Sequence, residues 1–123
     1  MSHYISFRFA GKLICSFPSV SNIYSFFYER NAPTDTWEPI SYSCLSLVED
    51  DIKEEICAKN RLIEINERMM NANSIAYKNL FEAASSISEY TEDLKELERS
   101  LHYVEFLLLI LSESDKDLEW WLQ

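Results

Sequence analysis

Glycine and proline are scarce in this chain. Gly11 is the only glycine, and no proline follows Pro39. The two strongest helix breakers are therefore missing from Ile40 to Gln123, where Leu, Ile, Glu and Lys are plentiful, so that stretch is expected to be mostly helical. A single glycine also excludes a glycine-rich phosphate loop, and no serine stands in a Gly-x-Ser-x-Gly elbow. Histidine is limited to His3 and His102. Glu98, His102 and Glu105 share a helix face, but a carboxylate-bridged metal pair needs a Glu-x-x-His motif on each of two helices, and no second histidine supplies it. The trio reads as a solvated flank. No catalytic residue, metal or other cofactor is expected.

Cysteine is present three times, as Cys15, Cys44 and Cys57. An odd number at wide spacing suits neither a disulfide framework nor a zinc site, and reads as reduced, buried thiols in a cytoplasmic protein. Long apolar runs are missing too. The longest, Phe106 to Leu111, is about a third of a membrane span. Arg8 and Lys12 interrupt the first apolar stretch and no cleavage pattern follows it, so no membrane helix or secretory signal is expected. Basic residues number 11 against 21 acidic ones and are dispersed, which argues against direct contact with nucleic acid.

Charge is present but segregated. Residues 1–47 balance Arg8, Lys12 and Arg30 against Glu29, Asp35 and Glu38, whereas residues 48–123 hold 18 acidic and 8 basic side chains and so carry the whole net charge of −10. One domain is expected over 1–123. Its first part, 1–47, is a neutral, aromatic-rich head, and 48–123 is an acidic helical body. The fold class is α+β, with a small antiparallel sheet (β-β-α-β) packed on a long helical hairpin.

Within the head, Tyr4 to Phe17 alternates as a β-hairpin about Ala10-Gly11, with Ile5, Phe7 and Phe9 on one strand and Leu13, Cys15 and Phe17 on the other. Ser19 or Ser21 caps a short helix that runs to Arg30. Residues 31–36 have turn chemistry. Ile40 to Leu47 is expected to be extended, because Ile40, Tyr42 and Cys44 alternate with serines.

The body is expected to open at Glu49-Asp50-Asp51, acids that suit a helix N-terminus. Val48, Ile52, Ile56, Ile63 and Met70 keep one face apolar. Further on, Leu80, Ala83, Ile87, Tyr90, Leu94, Leu97, Leu101, Val104, Leu108 and Leu111 follow a 3-4 spacing without a miss, the pattern of a coiled-coil seam. The chain reverses either at 71–74 or at 85–91. The cap signals at Ser86/Glu89 and Thr91 favour the second. Ser112 or Ser114 ends the last long helix, and a short terminal helix is expected from Asp115 to Leu122.

Two features can meet a partner. Carboxylates gather at Glu49, Asp50, Asp51, Glu54 and Glu55, at Glu89, Glu92, Asp93, Glu96 and Glu98, and at Glu113, Asp115, Asp117 and Glu119. On a rigid helical frame such rows can occupy a basic groove, although acids also simply keep helices dissolved. Trp120 and Trp121 end the chain and could anchor a partner, but folding back onto the head is the commoner fate of so large an apolar patch.

The leading expectation is a non-enzymatic inhibitor or regulator that binds a basic, nucleic-acid-handling protein through its acidic helices. In size and charge, though in no motif, the chain is similar to small acidic phage antagonists such as anti-CRISPR proteins, whose site of action would be the host cytoplasm. The alternative is an assembly protein that homodimerises through the seam, with Leu94, Leu97, Leu101, Val104, Leu108 and Leu111 as the contact.

Overall fold

The computed structural model describes residues 3–72, 77–113 and 117–123. Strand β1 (Tyr4–Phe9) and strand β2 (Lys12–Pro18) form a hairpin, followed by helix α1 (Asn22–Arg30), a two-residue strand β3 (Glu38–Pro39), helices α2 (Tyr42–Met70) and α3 (Tyr77–Glu113), and strand β4 (Leu118–Leu122). The four strands make one antiparallel sheet in the order β2-β1-β4-β3, and α2 and α3 pack as a hairpin. The fold is α+β.

The first turn follows from its residues. Ala10 and Gly11 both have positive φ, 51° and 78°, as a two-residue hairpin loop with the twist of its strands requires. The register then shifts between Phe7 and Arg8, leaving Ile14 as an extra residue opposite them. That bulge changes the side on which the strand's side chains lie. Cys15 and Phe17 pack against the core, but Leu13 is 61% exposed rather than aligned with them. Helix α1 starts at Ser21, whose Oγ accepts from the Tyr24 amide at 3.3 Å, and ends where the Asn31 side-chain amide donates to the Phe27 carbonyl at 2.9 Å.

Three expectations are corrected. Ile40–Leu47 is not a strand: Ser41 caps α2 by accepting from the Cys44 amide at 3.1 Å, and the helix is already formed at Tyr42. Leu45, Val48 and Ile52 supply the buried helical spacing that the alternating serines obscured. The reversal is not at 85–91, because α3 runs unbroken through it. Helix α2 ends at Met70 and α3 begins at Tyr77; Asn73 and Ser74 of the other site lie outside the described residues, as do Ser114 and Asp115. The Thr91 hydroxyl, instead of capping, donates back to the Ile87 carbonyl at 2.7 Å inside the helix. Finally, the C-terminus is a strand and not a helix. Leu118, Trp120 and Leu122 alternate inward, a period of two.

Strand β4 lies between β1 and β3, so the last residues of the chain sit in the middle of the sheet. It pairs with β1 through Ile5↔Leu122, Phe7↔Trp120 and Phe9↔Leu118. Thr34 braces its far side: its amide donates to the Leu122 carbonyl at 2.8 Å, and its Oγ1 accepts from the Leu122 amide at 2.9 Å. One core joins everything. The inner sheet face (Ile5, Phe7, Leu118, Trp120, Leu122) packs with Ile23 and Phe27 of α1, Leu45, Val48 and Ile52 of α2, and Leu97, Val104, Leu107 and Leu111 of α3.

The hairpin is longer than the core it serves. At 29 and 37 residues, α2 and α3 measure about 43 and 55 Å, against about 20 Å for the strands. Among the described residues, none after Ile52 on α2 is buried, and Ala83 is the only buried one on α3 before Leu97. The far half of the hairpin is therefore a two-helix arm projecting from the head.

Candidate functional site

The acidic residues divide into two groups by the work they already do. Glu49, Asp50 and Asp51 are not at a helix N-terminus. They lie two turns inside α2, beyond the reach of its end charge. Asp51 is committed to the head: Arg30 grips its carboxylate through both Nε and Nη2, the second contact being 2.6 Å, and this pairing holds the Asp51 carboxyl below its ordinary value. Glu49 has Lys53 one turn on, at 3.5 Å. Asp50 and Glu54 are exposed.

Further out, the acids belong to the arm. Lys59 bridges the two helices, 3.8 Å from Glu55 on its own helix and 3.5 Å from Asp93 on α3, with its ammonium 5.2 Å from the centre of the Tyr90 ring. Glu92 pairs with Lys95 at 3.1 Å and Glu96 with Arg99 at 2.5 Å, both along the exposed surface of α3. Glu89 is exposed, as is Glu98. Exposed pairs of this kind contribute only about 0–1 kcal/mol, so they leave these carboxylates available to a stronger cationic partner. Where α1 meets the arm, a cleft of about 380 Å³ is lined by Glu29, Glu55 and Asp93, with Lys59, Phe26 and Leu97.

Trp120 is not a surface anchor. It is 8% exposed, with its ring 5.7 Å from that of Phe27. Trp121 points to the other face of the sheet, half-buried, with its ring 5.6 Å from Trp37. Arg8 ties this outer cluster together, its guanidinium 4.6 Å from the Trp37 ring centre and its Nε 2.9 Å from Glu119. No sequence signal pointed to Trp37, because the pairing depends on β4 entering the sheet.

The seam is largely used by the chain's own fold. Leu97, Val104 and Leu111 are buried, and Leu94, Leu101 and Leu108 are half-buried beside them. Ser100 and Leu107 share the buried face, turning it away from Leu94, Leu101 and Leu108 and toward the head.

No group of three or more His, Cys, Asp or Glu side chains is placed to hold a metal ion among the described residues, and His102, Glu98 and Glu105 are exposed. The thiols are only partly as expected, since Cys57 is exposed on the arm while Cys15 and Cys44 are half-buried. Burial pushes the Cys15 thiol up to about 11, and it raises the Tyr103 phenol, whose hydroxyl donates to Cys15 Sγ.

A pH dependence follows. Both groups are neutral in the folded state, whereas an unfolded chain ionises them near 9.0 and 10.0. A raised folded-state value gives stability that is complete below the unfolded value and lost as pH climbs through the folded one. The urea midpoint is expected to hold up to about pH 8.5 and then fall between pH 9 and 11. Cys15→Ala should flatten part of that fall, and an identical slope in the variant would discount the thiol.

Among the described residues, no helix is long and apolar enough to cross a membrane. Compared with protein-family models, with curated proteins and with solved structures, the chain matches none.

Proposed function

We propose that this protein is a non-enzymatic binding module whose acidic helical arm engages a protein with a basic surface, of the kind that handles nucleic acid. One observation carries the reading: α2 and α3 hold 15 acidic against 7 basic side chains, most of the net charge of −10, and both helices extend well past the core. Acids needed only for solubility could sit anywhere on the surface, including the head, yet residues 1–47 have none in excess. On the projecting arm the excess lies on α3, where Glu82, Glu89, Glu92, Asp93 and Glu96 outnumber Lys78 and Lys95, and such a negative row steers cationic partners and matches a positively lined groove. The acids' weak local pairs with Lys95 and Arg99 can exchange for a partner's lysines or arginines at little cost.

Reversing Glu89, Glu92 and Glu96 to lysine tests the proposal. Asp93 is left alone, because it ties α3 to Lys59 and its loss would loosen the arm itself. Wild-type protein is immobilised in lysate of the source organism, and retained proteins are compared with those on the reversed variant. The expected partner has a basic surface, is lost from the variant, and elutes as salt rises from about 0.1 to about 0.5 M. Unchanged helical circular dichroism should accompany the loss. Equal retention by both proteins would discard the acidic arm as the contact.

A further inference from the structure

The arm carries an apolar track as well as its acids. On α2, Ala58, Leu62, Ile65 and Met69 follow the spacing i, i+4, i+7, i+11, which places them on one stripe. Leu62 is 36%, Ile65 43% and Met69 45% exposed. This is not the face that packs on α3, where Lys59 meets Asp93 and Tyr90. It continues the face that α1 covers nearer the head, since Ala58 and Glu55 line a cleft with Phe26 of α1. On α3, Glu82, Glu89 and Asp93 repeat at i, i+7, i+11, and the ion pair with Lys59 places the Asp93 end of this row on the α1 side of the arm, so that the stripe and the acid row border a shallow groove between the two helices. At its foot stands the cleft between α1 and the arm, where Glu29, Glu55 and Asp93 face one cation, Lys59, already shared between two of them.

We infer that this groove is the docking site for an amphipathic helix of the partner, with an apolar stripe laid on Leu62, Ile65 and Met69 and lysines or arginines along its α3 side. The inference rests on the proposed function and specifies how the partner is held. The chemistry selects the occupant: an apolar strip bordered on one side by carboxylates, and ending in a cleft with an excess of carboxylates, complements a helix that is greasy on one face and basic on its flank. The length agrees, because Ala58 to Met69 spans about 17 Å, or three turns of a docked helix. A second copy is the poorer occupant. Laid antiparallel, so that the heads clear each other, it sets the acid row of α3 against its own symmetry mate.

The test uses the full chain and a dye-labelled peptide of about five turns, with leucines on one helical face and lysines on its flank. A peptide of identical composition, with the leucines spread around the helix, is the control. Fluorescence anisotropy should show the patterned peptide binding about tenfold or more tightly than the control. Ile65→Asn with Met69→Gln should weaken it by a similar factor, and so should Glu82→Lys with Glu89→Lys. Half-exposed positions tolerate these changes, and circular dichroism verifies the fold. If the control binds equally and the Ile65/Met69 variant behaves like wild type, the contact is charge alone: the groove is wrong while the acidic arm stands. If neither peptide binds, the groove is equally overturned, and the lysate experiment judges the arm separately. Self-association in sedimentation that disappears in the Ile65/Met69 variant would assign the stripe to a second copy and overturn the inference.

Discussion

Trp120→Ala is expected to destabilise the protein by about 3–5 kcal/mol, a large share of the roughly 5–15 kcal/mol that holds a domain of this size folded. The reason is position. Trp120 stands opposite Phe7 on one neighbouring strand and Glu38 on the other, and its ring meets Phe27 of α1. Truncating it opens a cavity where sheet and helix join, against Phe7 and Phe27, which are themselves fully buried. Trp121→Ala is the internal control. Its ring lies on the outer face against Trp37, half-exposed, and its loss should cost about 1 kcal/mol. Urea midpoints of the two variants decide the matter. Equal losses would mean that the inward and outward assignments along β4 are wrong, and with them the central place of the C-terminal strand.

That strand is also where sequence reading failed most instructively. The alternation Leu118, Trp120, Leu122 was present, but five residues cannot separate a strand from a helical turn. What decides is tertiary: β1 needs a second neighbour, and residues 118–122 supply the apolar side chains that complete its inner face. The same limit explains α2. Alternating serines at 41 and 43 imitate a strand edge, while the wider spacing of Leu45, Val48 and Ile52 needs the core to give it meaning. In contrast, the β1–β2 turn was legible, because Ala10-Gly11 carries its own conformational requirement. The helical hairpin was legible too, since no glycine or proline follows Pro39 to interrupt its helices.

For the candidate site, the sequence showed where the acids are but not which of them are free. Asp51 looked equivalent to Glu49 and Asp50, yet only it meets Arg30, a residue 21 positions away. Glu89 to Glu96 looked like the start of a helix and proved to lie mid-helix along an arm. The apolar stripe at Leu62, Ile65 and Met69 drew no attention, because leucine and isoleucine on a helix read as core until the structure shows them exposed.

The register of α3 gives the second large effect. A coiled-coil seam through Leu94, Leu97, Leu101, Val104, Leu108 and Leu111 makes Leu108 a contact residue and leaves Leu107 outside the pattern. The fold reverses their importance. Leu107 is fully buried, on the face shared by Leu97, Ser100, Val104 and Leu111, whereas Leu108 is half-buried at its margin and Leu109 is 60% exposed. Two layers cause the rotation: α3 must face α2 and the sheet at once, so its buried stripe turns toward the angle between them. Leu107→Ala is therefore expected to cost about 2–5 kcal/mol, Leu108→Ala clearly less, and Leu109→Ala no more than about 0.5 kcal/mol. The order of the three urea midpoints is the measurement. A heavy loss at Leu108 with little at Leu107 would restore the seam as a contact for another helix. The expected order instead commits Leu107 and its buried neighbours to the chain's own core and leaves the arm's α2 stripe as an apolar surface open to a partner.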